Sequence, residues 1–100
     1  MKKYAFHKFY GMSDECRQQV VIVVDEGKFC DSFPLREEEA FTEWRGGVAV
    51  LSGRDSANMQ LPASLDTVLS YLLENPGYNL WHIDGKDYSS GIVHHVVRLR

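Results

Sequence analysis

The sequence predicts an α+β fold: a mainly antiparallel β-sheet or small β-sandwich with one amphipathic helix packed on it. Two patterns carry this expectation. From Ser64 to Asn75, residues Leu65, Val68, Leu69, Leu72 and Leu73 recur at i, i+3, i+4, i+7 and i+8, which is one face of an α-helix. Elsewhere the apolar residues come in short β-branched and aromatic runs between Gly, Pro and Asp turns. A helix this short needs a surface on which to bury its stripe. The chain has 100 residues, 44% hydrophobic and 25% charged, which suits a single domain with one modest core.

Taken in order, Lys3 to Tyr10 reads as a strand covered on both faces, because neither parity of its alternation is polar. Gly11 to Glu15 is turn material. Val20-Val21-Ile22-Val23-Val24 is five β-branched residues in a row, a strand buried on both sides and therefore central. Gly27 can take the left-handed conformation that closes a hairpin, and Lys28 to Phe33 returns as the next strand, ended by Pro34. Arg36 to Glu39 is a charged, solvated loop. Phe41 to Trp44 is a short strand, Gly46-Gly47 a sharp bend or bulge, and Val48 to Leu51 a short buried strand.

The helix follows. Ser64 is its expected N-cap and Asp66 suits the positive end of its dipole. Asn75-Pro76-Gly77 ends it. Both Leu69 and Leu72 are expected to be buried. Tyr78 to Ile83 is a strand with Tyr78, Leu80 and His82 on one face and Asn79, Trp81 and Ile83 on the other. Asp84 to Asp87 reads as a turn, and Gly91 to Leu99 as one long closing strand. Short turns between neighbouring strands imply antiparallel pairing.

The totals bound the function. A formal net charge of -3 argues against a nucleic-acid partner, which selects basic surfaces. The first residues carry lysines but no apolar core of a signal peptide. No apolar run approaches the ~20 residues of a membrane-spanning helix. These features predict a cytoplasmic protein. Cys16 and Cys30 are expected as free thiols. In the predicted hairpin they lie ~20 Å apart, beyond the ~7 Å that a disulfide tolerates.

Four histidines, His7, His82, His94 and His95, are the candidate ligands or bases. His94 and His95 are neighbours on an expected strand, so they should face apart and cannot share one ion. The cysteines lack C-x-x-C spacing. The Ser and Gly residues complete neither a nucleophile elbow nor a phosphate loop. No catalytic residue, cofactor or metal is expected. The residues singled out for ligand or partner contact are Trp44, Trp81, His82 and His94.

Two stretches resemble a known family. Val20 to Phe29, ending in Phe33-Pro34-Leu35, resembles the first hairpin of the small β-domain (composite domain) of amidohydrolase-type metal-dependent hydrolases. Trp44-Arg45-Gly46-Gly47-Val48-Ala49-Val50-Leu51-Ser52-Gly53 resembles the segment leading from that domain into the catalytic barrel, with Ser52 where the family commonly has Pro. The family's His-x-His metal pair has no counterpart in Arg54 to Gln60. The resemblance therefore implies a β-domain without its enzyme. The expected role is a non-catalytic module that binds a protein partner or a second copy of itself. The competing expectation is a small-molecule-binding protein or minor enzyme with a pocket near His82 and His94.

Overall fold

The computed structural model describes residues 1–11, 16–36 and 41–100. Residues 12–15 and 37–40, where most of the expected first turn and of the charged loop fall, lie outside the described residues. The strands are β1 (Lys2–Tyr10), β2 (Cys16–Asp25), β3 (Lys28–Pro34), β4 (Thr42–Trp44), β5 (Val48–Ser52), β6 (Ala63–Ser64), β7 (Asn79–Ile83), β8 (Ile92–Val93) and β9 (Val97–Leu99). The helices are α1 (Leu65–Leu73) and α2 (Gly85–Ser90). The fold is thus α+β with a mostly antiparallel sheet.

The main sheet runs in the order β3-β2-β1-β5-β7-β9, with β4 also paired to β1. A second, two-stranded sheet joins β6 and β8. β1, β2 and β3 form an antiparallel meander. Its second turn is tight: Asp25 pairs with Lys28, and Glu26 and Gly27 both have positive φ, 51° and 79°. That is the turn whose twist matches a hairpin. Cys30 is the extra residue where the register shifts between Val23 and Val24. Cys16 pairs with Tyr10 at the far end of β2, and both cysteines are free and exposed.

The pairing is not wholly antiparallel, as the short turns had suggested. β4 and β5 lie one after the other along the same edge of β1, and both run parallel to it. β3 lies beyond β2 on one side of β1 and β4 lies on the other, so hairpin logic does not apply to this pair.

The two faces of the sheet are buried differently. On one, Val48, Val50, Trp81 and Ile83 pack with Val68 and Leu72 of α1. On the other, Tyr4, Phe6, Ile22, Leu51 and Leu80 form a cluster that includes no helix residue among the described residues. The sheet covers this face by curling. Phe29 N donates to Tyr78 O at 2.9 Å, and Lys28 Nζ to Asn79 Oδ1 at 2.7 Å, so β3 meets the start of β7. Lys2 Nζ and Tyr4 hydroxyl both donate to Arg100 O.

Helix α1 forms as its pattern requires. Ser64 Oγ accepts from Thr67 N at 3.2 Å, satisfying one orphan donor of the first turn. Val68 and Leu72 are fully buried, whereas Leu69 is half-buried at the edge of the cluster. Ser52 Oγ, also buried, donates to Leu72 O at 2.6 Å and ties the helix to β5.

Two expectations at the end of the chain are corrected. The stretch read as a turn at Asp84 to Asp87 opens a second helix, α2. Asp84 caps it by accepting from Asp87 N at 2.9 Å, and Gly91 ends it with φ 78°. An Asp before a helix and a Gly after it are cap signals; read alone, Asp84-Gly85 resembles a turn. The expected long strand from Gly91 to Leu99 is broken into β8 and β9. The break comes from Asp87, whose carboxylate accepts from His94 N at 2.8 Å and His95 N at 3.2 Å. Those two hydrogen bonds hold the Asp87 carboxyl below its ordinary value. His94 and His95 therefore lie in a loop, and strand alternation does not govern where they point.

Burial sets an order on substitutions in α1. Leu72→Ala should cost about 2–5 kcal/mol, the range for a fully buried leucine, and Leu69→Ala distinctly less. Urea denaturation midpoints of the two variants check this, and equal losses would contradict the packing described.

Candidate functional site

The residues that can meet a partner gather where β1 passes from β4 to β5. In the β1–β2 ladder Phe6 pairs with Val20 and Lys8 with Gln18; opposite the skipped His7, Gln19 has φ 54°. On the other edge, His7 N and Lys8 N both donate to Gly47 O at 3.1 Å. Arg45 N and Gly46 N likewise share Ala5 O. These shared acceptors mark a bulge. Gly46 and Gly47 make it possible, with φ 68° and 61°. A Cβ on Gly47 would lie 2.3 Å from Ile83 O and 2.8 Å from Gly85 N, so only glycine fits.

The bulge collects several side chains. His7 Nδ1 accepts from Gly47 N at 3.1 Å. The Trp44 ring stands edge-on to His7, with centroids 4.8 Å apart. His82 Nε2 meets Gly46 O at 3.1 Å, and its ring lies 5.5 Å from that of Phe6. Since a carbonyl only accepts, Nε2 carries the proton in this contact. Burial is the main influence on the His82 imidazole and pushes its pKa below the ordinary 6.5; the Gly46 carbonyl opposes that shift and Arg45 adds to it.

β4 itself is short and alternates. Trp44 lies on one side, 52% exposed. Glu43 and Arg45 lie on the other and form an ion pair. The Arg45 guanidinium stands 5.4 Å from the Tyr4 ring centroid. Phe41, just before β4, is 97% exposed. An open groove of about 380 Å³ runs beside this strand, lined by Lys2, Tyr4, Phe41, Glu43 and Arg45 among others. Among the described residues β4 has β1 as its one strand partner. β7 stops at Ile83, opposite Val48, and the chain then turns into α2.

Of the residues singled out in the sequence, Trp44 and His82 meet the same bulge, through Gly46. Trp81 does not belong there: it is buried against the helix side, and its Nε1 donates to Arg54 O at 3.1 Å. His94 is exposed in the loop fixed by Asp87. His7, Phe41, Glu43 and Arg45 were not singled out, although the Glu-Trp-Arg run beside a Gly-Gly bend was their signal.

A second group of polar side chains lies further along β1. Lys8 Nζ donates to Tyr88 hydroxyl at 2.6 Å. Burial, aided by hydrogen bonds to Cys16 and Tyr88, raises the Tyr10 hydroxyl above its ordinary pKa. This group joins α2 to the sheet. Among the described residues no group of three or more His, Cys, Asp or Glu side chains is placed to hold a metal ion. No helix among them is long and apolar enough to cross a membrane.

The lowered His82 pKa has a pH signature. The unfolded chain takes up the proton near pH 6.5, the folded chain only at lower pH. The contribution of His82 is thus fully present above pH 6.5 and falls as pH drops through that value toward the folded pKa. Stability measured in urea should decline across this window, and His82→Gln should flatten the decline. An identical pH profile in the variant would refute the assignment.

No protein-family model, curated protein or solved structure matches this chain.

Proposed function

We propose that this domain is a non-catalytic interaction module of the cytoplasm that associates with a second copy of itself through the β4 surface. The carrying observation is the placement of Trp44 and Phe41. Both are large and apolar, both are exposed, and they flank a strand with one strand partner among the described residues. Aromatic side chains with Arg beside them are enriched in protein interfaces.

The resemblance to the amidohydrolase β-domain, which implies a β-domain without its enzyme, fits a non-catalytic role. The segments that carry it are the β2–β3 hairpin and the run from Trp44 to Gly53, which includes the bulge. The charge of -3 and the acidic side chain at β4 suit a protein partner better than a nucleic acid.

Sedimentation equilibrium from micromolar to millimolar protein tests the reading. The average mass should rise with concentration, and Trp44→Ser should keep the chain monomeric while its urea unfolding stays cooperative, with a modestly lower midpoint from the lost contact with His7. A strict monomer at millimolar concentration would refute self-association.

A further inference from the structure

We propose that His7 is a proton-operated latch on the bulge: a proton taken up at Nδ1 releases the peptide group that joins Gly46 to Gly47 and so alters the seating of Trp44. The device works within one chain and does not need self-association.

That peptide group is gripped at both ends. Its carbonyl, Gly46 O, lies 3.1 Å from His82 Nε2, and its amide, Gly47 N, donates to His7 Nδ1 at 3.1 Å. The two imidazoles hold it in opposite senses, since His82 supplies a proton and His7 a lone pair. A neutral imidazole has one donor and one acceptor, whereas the imidazolium has two donors and no acceptor. A proton on His82 Nδ1 leaves the bond to Gly46 O intact, because Nε2 still donates. A proton on His7 Nδ1 sets one N–H against another, and the bond is lost. Turning the charged ring over does not restore it, because neither nitrogen then accepts.

His7 is exposed and meets solvent protons directly, whereas Gly46 and Gly47 are buried. The freed Gly47 amide is therefore a buried donor without an acceptor, which is unfavourable. The bulge has to shift for that amide to find a new partner. There is no room toward β7, because the Gly47 α-carbon already sits against the backbone of Ile83 to Gly85. The yielding side is β4, where the Trp44 ring stands edge-on to His7 with centroids 4.8 Å apart.

The surrounding charges leave His7 to act alone. On β4, Glu43 and Arg45 lie on the side away from Trp44 and pair with each other. On β1, Lys8 is bound to Tyr88. On β2, the residue opposite is the uncharged Gln19. From the end of β7 and the start of α2 come His82 and Asp84. Burial keeps His82 neutral to a lower pH than an ordinary histidine, and Asp84 caps α2. No carboxylate among the described residues forms an ion pair with His7.

The test is a pH titration of the dilute, isotopically labelled whole chain by NMR, read at the Gly47 amide and at the ring Cε1–H of each histidine. The Gly47 amide proton should move upfield as pH falls, with the midpoint of the His7 ring and not that of His82. His7→Asn offers a side-chain oxygen in place of Nδ1 and does not titrate, so it should keep the Gly47 shift of the neutral wild type and lose the pH response. His82→Gln retains a donor for Gly46 O and should leave the response in place. A Gly47 amide that stays fixed while His7 titrates, one that follows the His82 midpoint, or a response that survives in His7→Asn would overturn the latch. Any of these results is compatible with a chain that self-associates, and a latch that works in a strict monomer is equally compatible with the failure of self-association.

Discussion

The carbonyl of Gly47 accepts from two consecutive amides of β1, while its α-carbon sits against the backbone of Ile83 to Gly85. Much of the arrangement follows from this one approach. It lets β4 and β5 share an edge of β1 although they are not one continuous strand. It brings the end of β7 and the start of α2 in against the bulge. No side chain can stand at that point, since a Cβ would overlap Ile83 O. The same bend sets Gly46 O toward His82 and leaves Trp44 beside His7. A backbone contact therefore decides which side chains reach the surface at β4.

The sheet then solves two burial problems by different means. Its helix side is covered in the ordinary way, by α1 and its neighbours. Its other side is covered by its own curvature, which closes β3 against the start of β7. Asn79 marks the seam. It is nearly fully buried, and its side-chain oxygen takes donors from Lys28 and Arg98 while its amide reaches Arg54 O and Asp55.

The local elements were legible because their signals are local. The helix, its Ser64 cap, the β-branched run at Val20 to Val24 and the strand at Trp81 stand as the pattern required, while of the leucine stripe Leu72 is fully buried and Leu69 only half-buried. What was not legible depends on distant parts of the chain. Parallel pairing of β4 and β5 with β1 joins residues some forty positions apart, and no turn announces it. The break before β9 depends on the side chain of Asp87 reaching the amides of His94 and His95. The helix α2 was hidden because Asp-Gly serves turns and helix starts alike. At the candidate site, Trp44 could be picked out by residue type, but its meeting with His7 and Gly46 depends on a bulge joining residues some forty positions apart. His82 and His94 looked like a pair only while Gly91 to Leu99 was read as one strand.

The order of the strands also bears on how the chain acquires its structure during synthesis. The first three strands pair with their neighbours in sequence, so this meander can form early. Its inner side, however, carries Tyr4, Phe6, Ile22 and Val24, which pack with Ala49, Leu51, Leu80 and Leu99 from much later in the chain. A nascent chain that has emerged only as far as β3 thus displays an apolar sheet face with nothing yet to close it. Vectorial folding leaves this face uncovered until β5 and β7 arrive, which is the interval in which a chaperone, or another nascent chain, would meet it.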